Sequence, residues 1–388
     1  MYKVLTKNVI AESGQDVLRN AGVQVGPEVE APDAMLIRSF KLHDAVFNDE
    51  LLCIGRAGIG VDNIPIDRCT KAGIAVFSTP GANAESVKEL VLSALTIVSR
   101  DVVGAVEWVK SIADQGDAIP SMVEKGKNAF VGPEISGKRL GVIGLGAIGS
   151  RVANAALRLD MDVSGYDPYL SVDSAWNLSG QVEHVTDLTK LYQTCDYLTM
   201  HIHSTPETYH SLDADAFSKM KPGMRILNFA RGELVDDDAL LEAIDSGVVA
   251  RYITDFPNKK LVGHKNVVCL PHLGATTPEA EEKCAIQAAR ELLDYLLNGN
   301  VRNSVNFPAA VLDRQGKSRL CLFHENKPGM LNAFLEYVAG NGINVEHMLN
   351  KARGSVAYTI FDTDPAVDDE MADKMRALGG VIRVRLLK

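Results

Sequence analysis

The stretch RLGVIGLGAIG at residues 139–149 constrains this chain more than any other segment. An apolar run suited to a buried strand enters glycines at 144, 146 and 149, and a helical sequence leaves them. That spacing gives a tight turn, a bare length of backbone and a close helix-to-strand approach, which together suit a pyrophosphate at a helix N-terminus. Glycine-rich turns also serve as plain packing devices, so context has to decide. The next strand candidate, MDVSGYD, ends on Asp167. It stands about 20 residues downstream, where a carboxylate can accept hydrogen bonds from ribose hydroxyls. The same carboxylate would repel a 2′-phosphate, so NAD is expected rather than NADP. Gly144, Gly146 and Gly149, with Ala147 and Ile148 between them and Asp167 beyond, form the first candidate cofactor site.

The position of the turn is the second constraint, because more than a third of a 388-residue chain precedes it. Two or three domains are expected at this length. Before the turn, apolar segments (YKVLTKNVI, DAMLIRSF, LLCIGRAGIGVDNI, KAGIAVFSTP) alternate with helical ones that end on glycine. A second series starts at Leu140 and continues through CDYLTMHI, MRILNFA, VVARYITDF and NVVCLPH. Such βα alternation predicts doubly wound parallel sheets with helices on both faces. A helix is expected from Asn83 to about Val109, then a polar surface crossing over 114–139. A long helix follows Thr276, with Pro278 in its first turn. The last segment reads strand, helix, strand, strand, helix, strand, the order of a small ferredoxin-like α+β domain. Residues 301–318 have the composition of a linker.

Composition limits the partners. Fifty acidic side chains against 40 basic ones leave a net charge of −10, which disfavours nucleic acid. An anionic substrate therefore needs a local cluster of cations. The longest apolar run, around LVLSALTIV, fits a buried helix and not a membrane span, and the first residues lack the pattern of a signal peptide. Six cysteines, at 53, 69, 195, 269, 284 and 321, form no CxxC pair. No metal or disulfide framework is expected, and a reducing, cytoplasmic setting fits.

Several blocks in order resemble the D-isomer-specific 2-hydroxyacid dehydrogenases, and among them the branch that oxidises D-3-phosphoglycerate. They are GRAGIGVDNI (55–64), GKRLGVIGLGAIG (137–149), HIHSTPET (201–208), MKPGMRILNFARGELVD (220–236) and PHLGATTPEA (271–280). The resemblance implies a Rossmann-type NAD-binding domain (99–276) inserted into a flavodoxin-like substrate domain (1–98 and 277–300), which accounts for the mid-chain glycines. A linker (301–318) and a C-terminal domain (319–388) similar to an ACT module would follow. The active site would lie in the cleft between the lobes.

Residue roles follow from the same resemblance. Arg231 in NFARG would grip the substrate carboxylate and 2-oxygen, for which a planar guanidinium that keeps its proton is well suited. His272 in PHLGA would handle the hydroxyl proton. Members of the family commonly carry a glutamate five residues after the aspartate equivalent to Asp255, paired with the histidine. Here that position is Lys260, preceded by Lys259. Either Lys260 takes part directly, or His272 works alone beside a phosphate-binding lysine, or the two lysines are simply solvated.

Asp255 would bond the nicotinamide carboxamide, with Phe229, Ala230, His201, Thr205, Pro206 and Gly274 lining the rest of the cofactor site; His203 stands where proline is usual. Arg38 and Arg56, with Gly58, would hold a substrate phosphate. In the terminal domain His324, Asn326 and Asn344 match positions that grip L-serine, and imidazole and amide groups can satisfy such a zwitterion. The expected partners are 3-phosphoglycerate, L-serine as effector, and further copies of the chain in a homodimer or homotetramer. Two other readings stay open: a hydroxypyruvate, glyoxylate or other D-2-hydroxyacid reductase, and a non-catalytic NADH-sensing protein of the corepressor kind.

Overall fold

In the computed structural model all 388 residues are described, apart from the side chain of Asp173. The chain forms two units, one of residues Met1–Ala82 and Pro278–Lys388, the other of Asn83–Thr277. The first unit opens with a parallel sheet of β1 (Lys3–Lys7), β2 (Gln24–Gly26), β3 (Ala34–Ile37), β4 (Cys53–Arg56) and β5 (Ala75–Phe77). Its order is β2-β1-β3-β4-β5, the flavodoxin-like arrangement. Both faces are apolar because both are covered. Val4, Leu36 and Phe77 pack toward Ala285, Ala288 and Leu292 of the helix Pro278–Asn298. Met35, Ile37, Ile54 and Val76 pack the other way, against Leu42, Leu51 and Ile64.

The second unit holds β6 (Arg139–Ile143), β7 (Asp162–Tyr166), β8 (Glu183–His184), β9 (Tyr197–Met200), β10 (Met224–Asn228), β11 (Val249–Thr254) and β12 (Val267–Cys269). All pair in parallel in the order β12-β11-β10-β9-β6-β7-β8. The strand order reverses between β6 and β9, the switch point at which doubly wound sheets place dinucleotides. The helix Ala84–Ser99 belongs to this unit and not, as the 98/99 boundary implied, to the substrate domain. Its Val87, Val91, Ala94, Leu95 and Val98 form a core with Leu140, Val142, Leu227 and Ile253. The helix stops at Arg100, and Asp101 caps a separate helix, Val102–Ser111, by accepting from the Gly104 N–H at 3.1 Å. The polar crossing contains a further short helix, Ile119–Gly126. No helix among the described residues is long and apolar enough to cross a membrane.

The terminal segment folds as an antiparallel sheet of β13 (Ser318–Glu325), β14 (Asn344–Arg353), β15 (Val356–Asp364) and β16 (Val381–Leu387), in the order β14-β15-β13-β16. Along β13 the side chains alternate between two cores. Leu320 and Leu322 face the helices Met330–Gly340 and Asp369–Arg376, while Cys321 and Phe323 join Phe77, Tyr295, Phe307 and Tyr358 in the core of the first unit. One face of this sheet thus shares the core of the five-stranded sheet in the first unit.

Residues 301–318 do not behave as a linker. Val301 and Phe307 are fully buried, and the segment lies along the open edge of β5. Val305 N–H donates to Val76 O at 2.9 Å, Asn306 Oδ1 accepts from Val76 N at 2.9 Å, and Asn306 Nδ2 donates to Ile74 O at 2.9 Å. Asn306 stands in for a neighbouring strand, which explains a polar composition inside a core.

Two arginines of the third sheet satisfy carbonyls at the end of the helix Pro278–Asn298. Arg385 donates to Tyr295 O and Leu296 O at 2.8 and 2.9 Å and lies over the Tyr295 ring. Arg319, fully buried, donates to Asn298 O at 2.8 Å and pairs with Asp362 through two bonds of 2.6 and 2.7 Å. Removing one partner strands the other charge, so Asp362→Ala is expected to cost about 3–5 kcal/mol. Urea unfolding measures this, and a loss below about 1 kcal/mol would contradict a clamp of this kind.

Candidate active site

The glycine turn leaves β6 with Gly144 at a φ of +86°, a conformation that side chains oppose, and its N–H donates to Tyr166 O at 2.8 Å. A Cβ on Gly149 would stand 1.8 Å from the Gly144 carbonyl oxygen, so the helix Gly149–Leu157 can start this close to the strand only with glycine there. At Gly146 nothing lies within 4 Å of where a Cβ would be, leaving the backbone open to an approaching group. Asp167 follows β7 and fastens the turn from the side. Its Oδ2 accepts from Leu145 N and its Oδ1 from Tyr169 N, both at 2.9 Å, and each oxygen keeps a lone pair for a hydroxyl.

The ends of the neighbouring strands contribute two buried polar atoms without a partner among the described residues, His201 Nδ1 and Asp255 Oδ1. The other nitrogen of His201 meets Thr199 Oγ1 at 3.1 Å, and burial pushes its pKa down to about 3, so the ring is neutral. Asp255, after β11, is 1% exposed and accepts from Gly274 N at 2.9 Å through Oδ2. Burial raises its pKa, while the Gly274 N–H and the nearby His272 act against that. Thr205 and Pro206 sit in an exposed loop after β9, closed by the Thr205 N–H donating to Thr208 Oγ1 at 2.8 Å.

After β10, Phe229 and Ala230 are buried and Arg231 is half-buried, its Nη1 donating to Ala230 O at 2.7 Å. His272 is exposed, with its ring packed on Phe256 at 4.9 Å between centroids. Lys260 is exposed and pairs with Asp238 at 2.7 Å. That bond and the charges of Asp238, Asp237 and Asp236 raise its pKa.

Arg38, just past β3, and Arg56, the last residue of β4, come together in the first unit, Arg56 Nε donating to Arg38 O at 3.1 Å. The Arg56 guanidinium fills the space beside Gly58, where a Cβ would meet its Nη1 at 2.0 Å. Arg38 pairs with Glu281 at 2.6 Å. In the third sheet His324 is 2% exposed and both ring nitrogens are engaged, by Glu325 O and Thr359 Oγ1, each at 2.8 Å. Asn326 donates to Gly354 O at 3.0 Å and Asn344 to Glu346 Oε1 at 2.7 Å; both asparagines are exposed.

Residues 98–274 match the family described as D-isomer specific 2-hydroxyacid dehydrogenase, NAD binding domain. A relative named D-3-phosphoglycerate dehydrogenase from Escherichia coli K12 is 33% identical over 356 residues, 87% of this chain and 82% of that protein. The chain belongs to the D-isomer specific 2-hydroxyacid dehydrogenases. A relative of the same name from Synechocystis is 32% identical over 82% of this chain, which spans 58% of that longer protein. Two solved structures share the fold of this dehydrogenase. NAD+-bound 3-phosphoglycerate dehydrogenase of Entamoeba histolytica has a TM-score of 0.62 at 24% identity, covering 79% of this chain and 98% of its own. D-2-hydroxyisocaproate dehydrogenase has a TM-score of 0.63 at 20% identity, covering 78% and 99%.

The second unit of this 2-hydroxyacid dehydrogenase is an NAD-binding domain, and its residues fit that cofactor. The turn leaves Gly146 open, Asp167 keeps lone pairs beside it, and Asp255 Oδ1 is a buried acceptor awaiting a donor. A proton-carrying lysine needs burial or neighbouring cations to lower its pKa; Lys260 is exposed and paired with Asp238, and Asp238, Asp237 and Asp236 raise its pKa instead. His324 is an internal brace of the dehydrogenase's third sheet and is not presented to solvent as a ligand-gripping side chain. Reading the sequence also passed over Asn228 and Tyr252, which hold the Arg231 turn from below. A polar residue closing the apolar run MRILN was the available signal.

Gly149→Ala drives a methyl into the Gly144 carbonyl and pushes helix from strand. NADH titration by nicotinamide fluorescence should show binding at least about tenfold weaker, a cost in keeping with overpacking at a closed contact. Unchanged affinity would refute the cradle.

Proposed function

We propose that this chain is an NAD-dependent D-3-phosphoglycerate dehydrogenase, converting D-3-phosphoglycerate to 3-phosphohydroxypyruvate at the head of L-serine synthesis. The observation that carries the reading is likeness to the Escherichia coli enzyme of that name across 82% of its length. The chemistry removes a hydride from C2 and a proton from the 2-hydroxyl. NAD, when bound, supplies the hydride acceptor. Arg231 takes the substrate carboxylate in two-point fashion and draws on the 2-oxygen, so that C2 is oriented and the forming carbonyl polarised. His272 accepts the hydroxyl proton and, being exposed, passes it to solvent. Arg38 and Arg56 hold the phosphate, with Glu281 released from Arg38 as the phosphate arrives.

That Arg38–Glu281 pair also supports a second reading, a reductase of unphosphorylated acids such as hydroxypyruvate or glyoxylate, since it gives Arg38 a partner without any phosphate. L-serine as an effector is supported by the exposed amides of Asn326 and Asn344, with His324 bracing the sheet behind them. A homodimer or homotetramer in the cytoplasm completes the proposal.

Purified protein with NAD should reduce it in the presence of 3-phosphoglycerate when the product is trapped, and far more slowly with glycerate or lactate. Turnover of lactate alone would reject the phosphorylated substrate. Arg231→Ala should lower kcat/KM by about 10²–10³-fold, the usual cost of losing one preorganised donor. His272→Ala should lose about 10²–10⁴-fold in kcat, whereas Lys260→Met should stay within about twofold. A pH–rate profile reshaped by Lys260→Met would restore the lysine to the mechanism.

A further inference from the structure

Resting on the reading of Arg231 as the carboxylate grip, we infer that Asn228 and Tyr252 are positioning residues, a buried amide and a buried phenol that fix the turn carrying the guanidinium. Asn228 ends β10 and is fully buried. Its Nδ2 donates to the main-chain oxygen of Arg231 at 2.8 Å and to Tyr252 Oη at 3.1 Å, while its Oδ1 accepts from Ala230 N at 3.1 Å. One side chain therefore grips the backbone on both sides of the 230–231 peptide. Arg231 is extended, with φ −154° and ψ 143°; its carbonyl is held by Asn228 Nδ2 at 2.8 Å and more loosely by Leu234 N at 3.4 Å, and its guanidinium rests on Ala230 O at 2.7 Å. The two backbone groups that Asn228 holds therefore bracket the carbonyl on which the guanidinium rests.

Tyr252 extends the arrangement sideways. It is 1% exposed on β11, two residues before Thr254 on the same strand. Thr254 Oγ1 in turn accepts from Phe256 N at 3.1 Å, and the Phe256 ring lies against His272. Asn228 thus joins Arg231 to Tyr252 across the ends of β10 and β11, while Thr254, next along β11, holds the turn of Asp255 and Phe256, beneath the residues that would orient the acid and move its proton. Burial keeps the phenol protonated, since it raises the pKa of Tyr252. Fully satisfied buried networks of this kind rigidify what they join, and every polar atom of the Asn228 amide is used.

The test is a double-mutant cycle with a readout that simple destabilisation would not move. Asn228→Leu keeps the volume and deletes all three bonds; Tyr252→Phe deletes one hydroxyl and carries the cycle if the first variant does not fold. Turnover of 3-phosphoglycerate, NADH affinity, and binding of oxalate to the enzyme–NADH complex are measured for each, alone and in an Arg231→Ala background. Asn228→Leu should lower kcat/KM and oxalate affinity by about tenfold, and Tyr252→Phe by about threefold, with NADH affinity within about twofold of wild type. In the Arg231→Ala background neither should weaken oxalate binding further. Wild-type values for both variants, or equal losses with and without Arg231, would overturn the inference while leaving the function intact. A wild-type enzyme that binds NADH but neither oxidises 3-phosphoglycerate nor binds oxalate would overturn the reading of Arg231, and this inference with it.

Discussion

Parallel strands end with unpaired backbone N–H and C=O groups, and most of what is distinctive here follows from how those groups are satisfied. Short polar side chains do much of it. Asp167 receives two N–H groups where β6 and β7 stop, Asp255 receives the Gly274 N–H beyond β11, and Asn228 receives the Ala230 N–H beyond β10. At the edge of β5 Asn306 does the same for Val76. A carboxylate or amide held by backbone has its direction fixed, so these side chains support the turns and also place lone pairs where a ligand can meet them. Support and recognition are one arrangement at this end of the sheet.

Electrostatics divides the lysines and the histidines of the candidate site. Lys260 sits above the acidic start of the helix Asp237–Asp245, and its ammonium is stabilised as a cation. His201 is neutral because no charge compensates its burial. Asp255 lies between these limits, with burial opposed by a backbone N–H and by His272. The family's usual glutamate is missing, yet a buried carboxylate still stands near the histidine.

The nucleotide turn was readable because its requirements are local. A positive φ at Gly144, a contact that only Gly149 allows, and an aspartate one βα unit later are all encoded within thirty residues of sequence. The parallel architecture was readable from alternation for the same reason. What escaped depends on contacts between distant positions. Composition at 301–318 could not reveal that Asn306 would meet Val76, 230 residues away. Residue type at 260 could not reveal Asp238, and the match at His324 could not show that Thr359, across a strand pair, would occupy the ring. Asn228 and Tyr252 were missed because their partnership exists only once β10 and β11 lie side by side.

The way the last sheet is attached bears on how such a protein can change over generations. Phe323, Tyr358 and Leu387 complete a core begun by Val4 and Phe77, and Arg319 and Arg385 finish the helix Pro278–Asn298 that packs on the first sheet. Recombination at the nominal boundary would leave an aromatic cluster open to water and the helix's carbonyls bare. A lineage carrying this joint can lose the module only by redesigning what lies under it, so the appendage has become architecture.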